Sequence, residues 1–254
     1  MVIRLVAILM FFSCSTSLMK DDSSLVKFEN AMEYIEDSKY SKAIDELEFL
    51  LLIDPLSEYS SKAQYFLAES YYNLENYDKA IIEFEKYLSR RSLSNDLLKK
   101  TQLYLCKCYY NVTLDYNKDP SSTYIAIEKL QYFIEKESMS ENINEIENMI
   151  LKLRTKLAKK NFKTAKLYIR LEEFDSAAIY YNTVIKEYYD TKFVDDSLIN
   201  VAIIYFLESK QKSISYLENQ KRNFSSNSDY EEAIAFISNL KSKQKVEYYI
   251  NQLK

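Results

Sequence analysis

Apolar residues recur along most of the chain at three- and four-residue intervals, in blocks separated by short polar breaks. Phe28, Ala31, Tyr34 and Ile35 form one stripe, and Tyr40, Ala43, Ile44, Leu47 and Leu50–Leu51 form the next. Between them Asp37-Ser38-Lys39 reads as a turn, and Pro55 closes the second stripe. This spacing puts each set on one face of a helix. A second pair follows, with Leu67, Ala68, Tyr71 and Tyr72, then Tyr77, Ala80, Ile81, Phe84, Tyr87 and Leu88. Small residues come in pairs twelve apart (Ala31 and Ala43, Ala68 and Ala80, Ala165 and Ala177), with Tyr40, Tyr77 or Phe174 three before each second alanine. Ala31 to Ala68 is 37 residues, as is Ala165 to Ala202. The arithmetic predicts stacked helix–turn–helix units whose helices touch through side chains small enough to let the backbones approach.

The pattern also has breaks. Leu67-Ala68-Glu69-Ser70-Tyr71-Tyr72-Asn73 reappears 38 residues on as Leu105-Cys106-Lys107-Cys108-Tyr109-Tyr110-Asn111, so Cys106 takes the slot of Ala68. Twelve residues later stands Lys118, and the next small candidate, Ala126, is 20 away. The eight-residue excess falls in the polar stretch Thr113–Ser122, a loop able to lengthen a helix or reach a partner. A helix from Ser122 to about Lys136 follows, then an unbroken run from about Glu141 to Leu171 that ends in Phe162, Ala165, Tyr168 and Ile169. Phe174, Ala177, Tyr181, Val184 and Ile185 complete the fourth unit. The fifth keeps Ala202 and Tyr205 but has Ile214 at its second small position, and a final helix from Tyr230 to about Leu253 is expected to cover it. The expected fold is an all-α solenoid of about five helix–turn–helix repeats plus a C-terminal helix. Repeats 1–3 occupy 25–138, repeats 4–5 occupy 139–218, and a capping helix lies in 219–254.

Composition narrows the function classes. The 254 residues contain no glycine, histidine or tryptophan and only two prolines. Without glycine, left-handed tight turns, phosphate-cradling loops and nucleophile elbows are disfavoured. Without histidine, histidine triads and histidine-ligated metals are excluded. Cys106 and Cys108, two apart on a helix, diverge by roughly 200° and suit neither a disulfide nor a shared metal. Carboxylates alternate with lysines, as in Glu83, Glu85 and Lys86, which reads as solvated helix surface. The net charge of −4 offers no footprint for nucleic acid. The expectation is a binding scaffold with no cofactor, no metal and no catalytic residues.

The amino terminus reads as an address. Arg4, the apolar run Leu5 to Phe12 and small Ser13 form an export signal over residues 1–13. The run is too short to cross a bilayer, which takes ~20 helical residues. Cys14 follows at once, and 14–24 then reads as a lipidated tether spanning at most ~35 Å. Phe11-Phe12-Ser13-Cys14 resembles the lipobox of bacterial lipoproteins, which implies acylation at Cys14 and, with Ser15 next, delivery to the outer membrane. The alternative is an ordinary secretory signal with Cys14 incidental.

The class of residue at each slot, with Ala68 and Ala80 at the small positions and Pro55 at a repeat end, resembles the tetratricopeptide repeat. Leu157-Ala158-Lys159, Ala165 with Tyr168, Phe174 through Ala177, and Lys186-Glu187-Tyr188-Tyr189-Asp190-Thr191 resemble the back half of the BamD family. These are lipoproteins of the outer-membrane β-barrel assembly machinery; the family usually has proline where Tyr189 stands. The resemblance implies a periplasm-facing, outer-membrane-anchored protein whose carboxy-terminal repeats dock the barrel-forming subunit BamA, alongside other assembly lipoproteins. It implies that the amino-terminal repeats receive unfolded outer-membrane proteins.

By helical phase the receiving groove would present Phe28, Met32 and Ile35, then Tyr65, Glu69 and Tyr72, then Leu103, Lys107 and Tyr110. Aromatic-rich grooves suit extended, aromatic-ended peptides. The plainer possibility is that these side chains pack between helices. Lys186 and Glu187 are the BamA-binding candidates, with solvated surface charge as the alternative. A different reading of the whole chain is an envelope lipoprotein that scaffolds cell-wall or division enzymes.

Overall fold

The computed structural model describes residues 15–90, 94–136 and 141–240, with side chains from Ser23 on. Among these residues every regular element is helical. The first pairs are α1 (Ser15–Glu36) with α2 (Tyr40–Ile53) and α3 (Ser60–Asn73) with α4 (Tyr77–Leu88), followed by α5 (Asn95–Asn111). Then come α6 (Ser121–Lys136), the long α7 (Ile143–Arg170), α8 (Phe174–Glu187), α9 (Val194–Glu208) and α10 (Lys210–Asn219). A 3₁₀ turn, Lys221–Asn223, leads to α11 (Asn227–Asn239). The chain divides into two compact units, 1–112 and 113–254, so the first helix of the third repeat lies in one unit and its second helix in the other. Within each unit consecutive helices pack against each other, as helix–turn–helix repeats must.

The small slots behave as their spacing predicts. Ala31, Ala43, Ala68, Ala80, Ala126, Ala165, Ala177 and Ala202 are fully buried, and Cys106 nearly so. In the first unit they seat Leu47, Leu50, Tyr65, Phe84 and Tyr87; in the second they seat Ile169, Tyr181, Leu198 and Leu217. Hydrogen bonds repeat along with the packing. Tyr71 donates its hydroxyl to Glu48 at 2.6 Å, and Tyr109 donates to Glu85 at 2.8 Å. Donors and acceptors are thus spaced by one repeat, and each pair ties the first helix of a repeat to the second helix of the one before.

Three expectations need correction. The fifth repeat has not lost its second small residue: Ser213, not Ile214, is the buried one, and its hydroxyl donates to the carbonyl of Ala202 at 2.7 Å. Only Ser209 separates α9 from α10, and its side chain caps α10 by accepting from the Lys212 amide, so the slot falls one residue earlier in the chain. Second, 15–24 is not an extended tether, because α1 starts at Ser15. At 1.5 Å per residue that segment reaches only about 15 Å.

Third, the missing glycine does not spare the chain left-handed turns. Ser38, Glu75 and Glu172 have φ of 57°, 57° and 61°. Each lies two residues before the aromatic that opens the next helix (Tyr40, Tyr77, Phe174). The following amide reaches back five residues, Lys39 to Tyr34, Asn76 to Tyr71 and Glu173 to Tyr168, at 2.7, 3.0 and 3.0 Å. This is the Schellman ending of a helix, normally built on glycine. These three pairs make the turn without glycine.

The excess after Cys108 is not a free arm. In the second unit Lys156 donates to the Thr113 hydroxyl at 2.7 Å, and Lys160 donates to the Lys118 carbonyl at 2.8 Å. The Lys159 ammonium stands 4.0 Å from the Tyr116 ring centre. One turn of α7 clasps the loop.

Candidate functional site

The groove candidates all belong to the first unit, on α1, α3 and α5. Met32, Ile35, Glu69, Tyr72, Leu103, Lys107 and Tyr110 are half-buried, neither free surface nor core. Tyr65 is a correction: only 1% exposed, its ring lies in the core, edge-on to Phe66 and Tyr87 at 5.2 and 5.8 Å. Phe28, also half-buried, is engaged between helices, stacked on Tyr59 at 5.5 Å and tilted against Phe66 at 6.2 Å.

What α3 and α5 bring together is an aromatic and acidic cluster. Tyr72 meets Tyr104 edge-on at 4.7 Å, and Tyr104 stacks on Phe84 at 5.6 Å. The Tyr65 hydroxyl donates to Glu69 at 3.0 Å, and Tyr104 also bonds this carboxyl. Burial pushes the Glu69 carboxyl above the usual glutamate range, against the opposing pull of the tyrosine bonds and nearby Lys100. Burial likewise pushes the thiols of Cys106 and Cys108 up to about 12, so both behave as inert apolar fillers. Tyr104 was missed by phase alone; its signal is that it stands 38 residues after Phe66, one repeat on.

In the second unit Lys186 and Glu187 are exposed at the end of α8. The corner they open is held by a residue that the sequence pattern did not mark. Arg154 of α7 donates from Nε and Nη2 to Asp190 at 2.7–2.9 Å, and from Nη2 to the Glu187 carbonyl at 2.7 Å. Its guanidinium also lies over the rings of Tyr188 and Tyr189, 5.7 and 5.5 Å from their centres. A planar fork matches a carboxylate two-to-two and still caps a helix carbonyl, which a lysine cannot do. Tyr188 is buried by this arrangement while Tyr189 is left outside, 73% exposed. Two residues beyond Asp190, Lys192 begins a cleft of about 580 Å³ between α9 and α11, floored by Ile199, Ile203 and Phe236 and rimmed by Asp195, Asp196, Asp229 and Glu232.

Among the described residues no group of three or more acidic or cysteine side chains is placed to hold a metal. No described helix is long and apolar enough to cross a membrane. The leader 1–13, Cys14 and the tail 241–254 lie outside the described residues.

Alanine-slotted helix pairs, Schellman turns at repeat spacing and inter-repeat Tyr–Glu bonds define an all-α protein of the tetratricopeptide-repeat type. More particularly, the chain belongs to the YfiO family of outer-membrane lipoproteins, whose model matches residues 20–222. Among solved structures it is similar to PilF of Pseudomonas aeruginosa, with 18% identity over 86% of this chain and 99% of that one and a TM-score of 0.30. It is also similar to a tetratricopeptide repeat protein of Parabacteroides merdae, with 11% identity, 91% and 98% coverage and a TM-score of 0.31. No curated protein matches the chain.

Proposed function

We propose that this protein is a BamD-type, non-enzymatic scaffold of the outer-membrane β-barrel assembly machinery, anchored by lipid at Cys14 and facing the periplasm. Its second unit docks BamA, and its first unit receives unfolded outer-membrane proteins. The observation that carries the reading is membership of the outer-membrane lipoprotein family across the repeats. The corner at Lys186 and Glu187 supports the docking role, because Arg154 holds it rigid while exposed Tyr189 stands beside it. An interface that does not have to be ordered on binding keeps more of its contact energy. The half-buried face of Met32, Ile35, Glu69, Tyr72, Leu103, Lys107 and Tyr110 supports the receiving role, with Tyr104 added and Tyr65 beneath it.

Affinity purification of the lipid-anchored protein with mass spectrometry tests the whole. BamA recovered with the wild type, and lost with Lys186→Glu, Glu187→Lys and Tyr189→Ala together, is the expected result. Recovery of cell-wall synthases without BamA would instead establish the envelope-scaffold alternative. For the receiving face, a photo-crosslinker at Tyr72 or Tyr110 should capture the carboxy-terminal segment of a barrel protein, and absence of any adduct removes that assignment.

A further inference from the structure

The least expected surface of the first unit is the apolar tip that the end of α2 makes with the turn into α3. Leu52 is 78% exposed and Leu56 is 93% exposed, with Phe49 and Val26 about half exposed nearby. Phe49 and Leu52 are three apart on α2, and Leu56 lies in the turn that follows the end of that helix. Lys27, next to Val26 on α1, has its ammonium 5.0 Å from the centre of the Phe49 ring and 2.8 Å from Glu46, which sets this part of α1 beside the end of α2. Single exposed apolar residues are ordinary, but a leucine almost wholly in water at the end of such a run is not. Packing gives them no reason to be apolar, because Leu47 and Leu50 fill the core from the same helix.

We propose that this tip, Phe49, Leu52 and Leu56 with Val26 beside them, docks into the surface of the lipid bilayer that anchors the protein; this rests on the reading of Cys14 as the lipid-bearing residue. Position on the chain selects lipid as the occupant. The Ser24 hydroxyl donates to Asp54 at 3.2 Å, so the tip lies level with Ser24 on α1. Nine helical steps, about 14 Å, separate Ser24 from Ser15, the residue next to Cys14. An acyl anchor at Cys14 holds a bilayer within about that distance, along α1, of the level of Asp54, between Leu52 and Leu56 in sequence. The anchor supplies the affinity. The tip supplies a second point of attachment, which sets how the first repeat is oriented on the membrane.

The absence of tryptophan makes the test clean. Leu56→Trp is introduced into the chain from Cys14 to Lys254, which is coupled through Cys14 to maleimide-bearing lipid in phosphatidylethanolamine–phosphatidylglycerol vesicles. Cys106 and Cys108 are buried and do not compete. The emission of this tryptophan should shift to the blue and be quenched by lipids brominated on their acyl chains. Leu171→Trp, at an exposed position in the other unit, should show neither effect. An unshifted, unquenched tryptophan at 56 overturns the proposal, as does equal quenching at 56 and 171. Chemical coupling makes the result independent of acylation in the cell, which the mass of the mature protein reports separately.

Discussion

Replacing Glu75 by glycine should stabilise the first unit, although glycine ordinarily weakens helical proteins. Glu75 sits at φ 57°, where its Cβ crowds the neighbouring backbone. For an L-residue that conformation costs about 1–2 kcal/mol. Glycine removes this term and returns roughly 0.5–1 kcal/mol through the greater freedom of its unfolded chain. The carboxylate also stands at the carboxy-terminal end of α3, where the helix dipole disfavours negative charge by about 0.3–1 kcal/mol at an exposed site. The net expectation is a gain of about 1 kcal/mol. For a unit of this size that is an upward shift of roughly 3–6 °C in Tm. Urea titration followed by circular dichroism at the helix band is the assay. Leu74→Gly is the control: it is the adjacent residue, exposed, with φ −86°, and should lose stability. If Glu75→Gly proves destabilising while Leu74→Gly behaves as expected, the left-handed residue is not strained and the reasoning fails.

Other substitutions probe the two sites. Arg154→Ala should cost about 1 kcal/mol, since water can replace the donor at the exposed Asp190 and Glu187 carbonyl but not its two-to-two geometry; Arg154→Lys should recover less than half in the same urea titration. Tyr65→Ala should cost about 3–5 kcal/mol, as deletion of a buried aromatic does, whereas a pure groove residue would cost almost nothing. Glu69 binds its proton more tightly folded than unfolded, so its contribution is most favourable at acid pH. That contribution declines as pH rises above the ordinary glutamate range; Glu69→Gln should therefore flatten the fall in stability between mildly acidic and neutral pH. Cys106 and Cys108 should resist alkylation at pH 8 in the native protein and react fully in urea, as read by intact mass.

Much of the fold could be read from alanine spacing because the slots admit only small side chains. The same logic placed Cys106 correctly and recovered the long α7, whose uninterrupted period has only one helical solution. It faltered where one residue changes the register. The turn before α10 is reduced to Ser209, and strict counting then lands on Ile214 instead of Ser213. Inferring turn geometry from composition faltered for a different reason. Three of the helix pairs close through a left-handed residue, Ser38, Glu75 or Glu172, and the fold accepts that strain without glycine. For the candidate site, helical phase marks residues on α3 and α5 but does not separate half-buried Tyr72 from buried Tyr65. Whether a ring seven residues away along the same helix falls inside or outside depends on the packing of Phe84 and Tyr87. Arg154 was invisible because its partner Asp190 lies 36 residues downstream, and no local pattern links them.

The paired bonds Tyr71–Glu48 and Tyr109–Glu85 carry a consequence for how such a chain grows. The second repeat offers a donor, Tyr71, on one side and an acceptor, Glu85, on the other, and its neighbours supply the matching partners Glu48 and Tyr109. A duplicated copy of the second repeat, inserted before the third, would find a Glu waiting below it and present a Glu to the Tyr above. The junction is interchangeable, so lengthening this part of the protein requires no new contact to be invented.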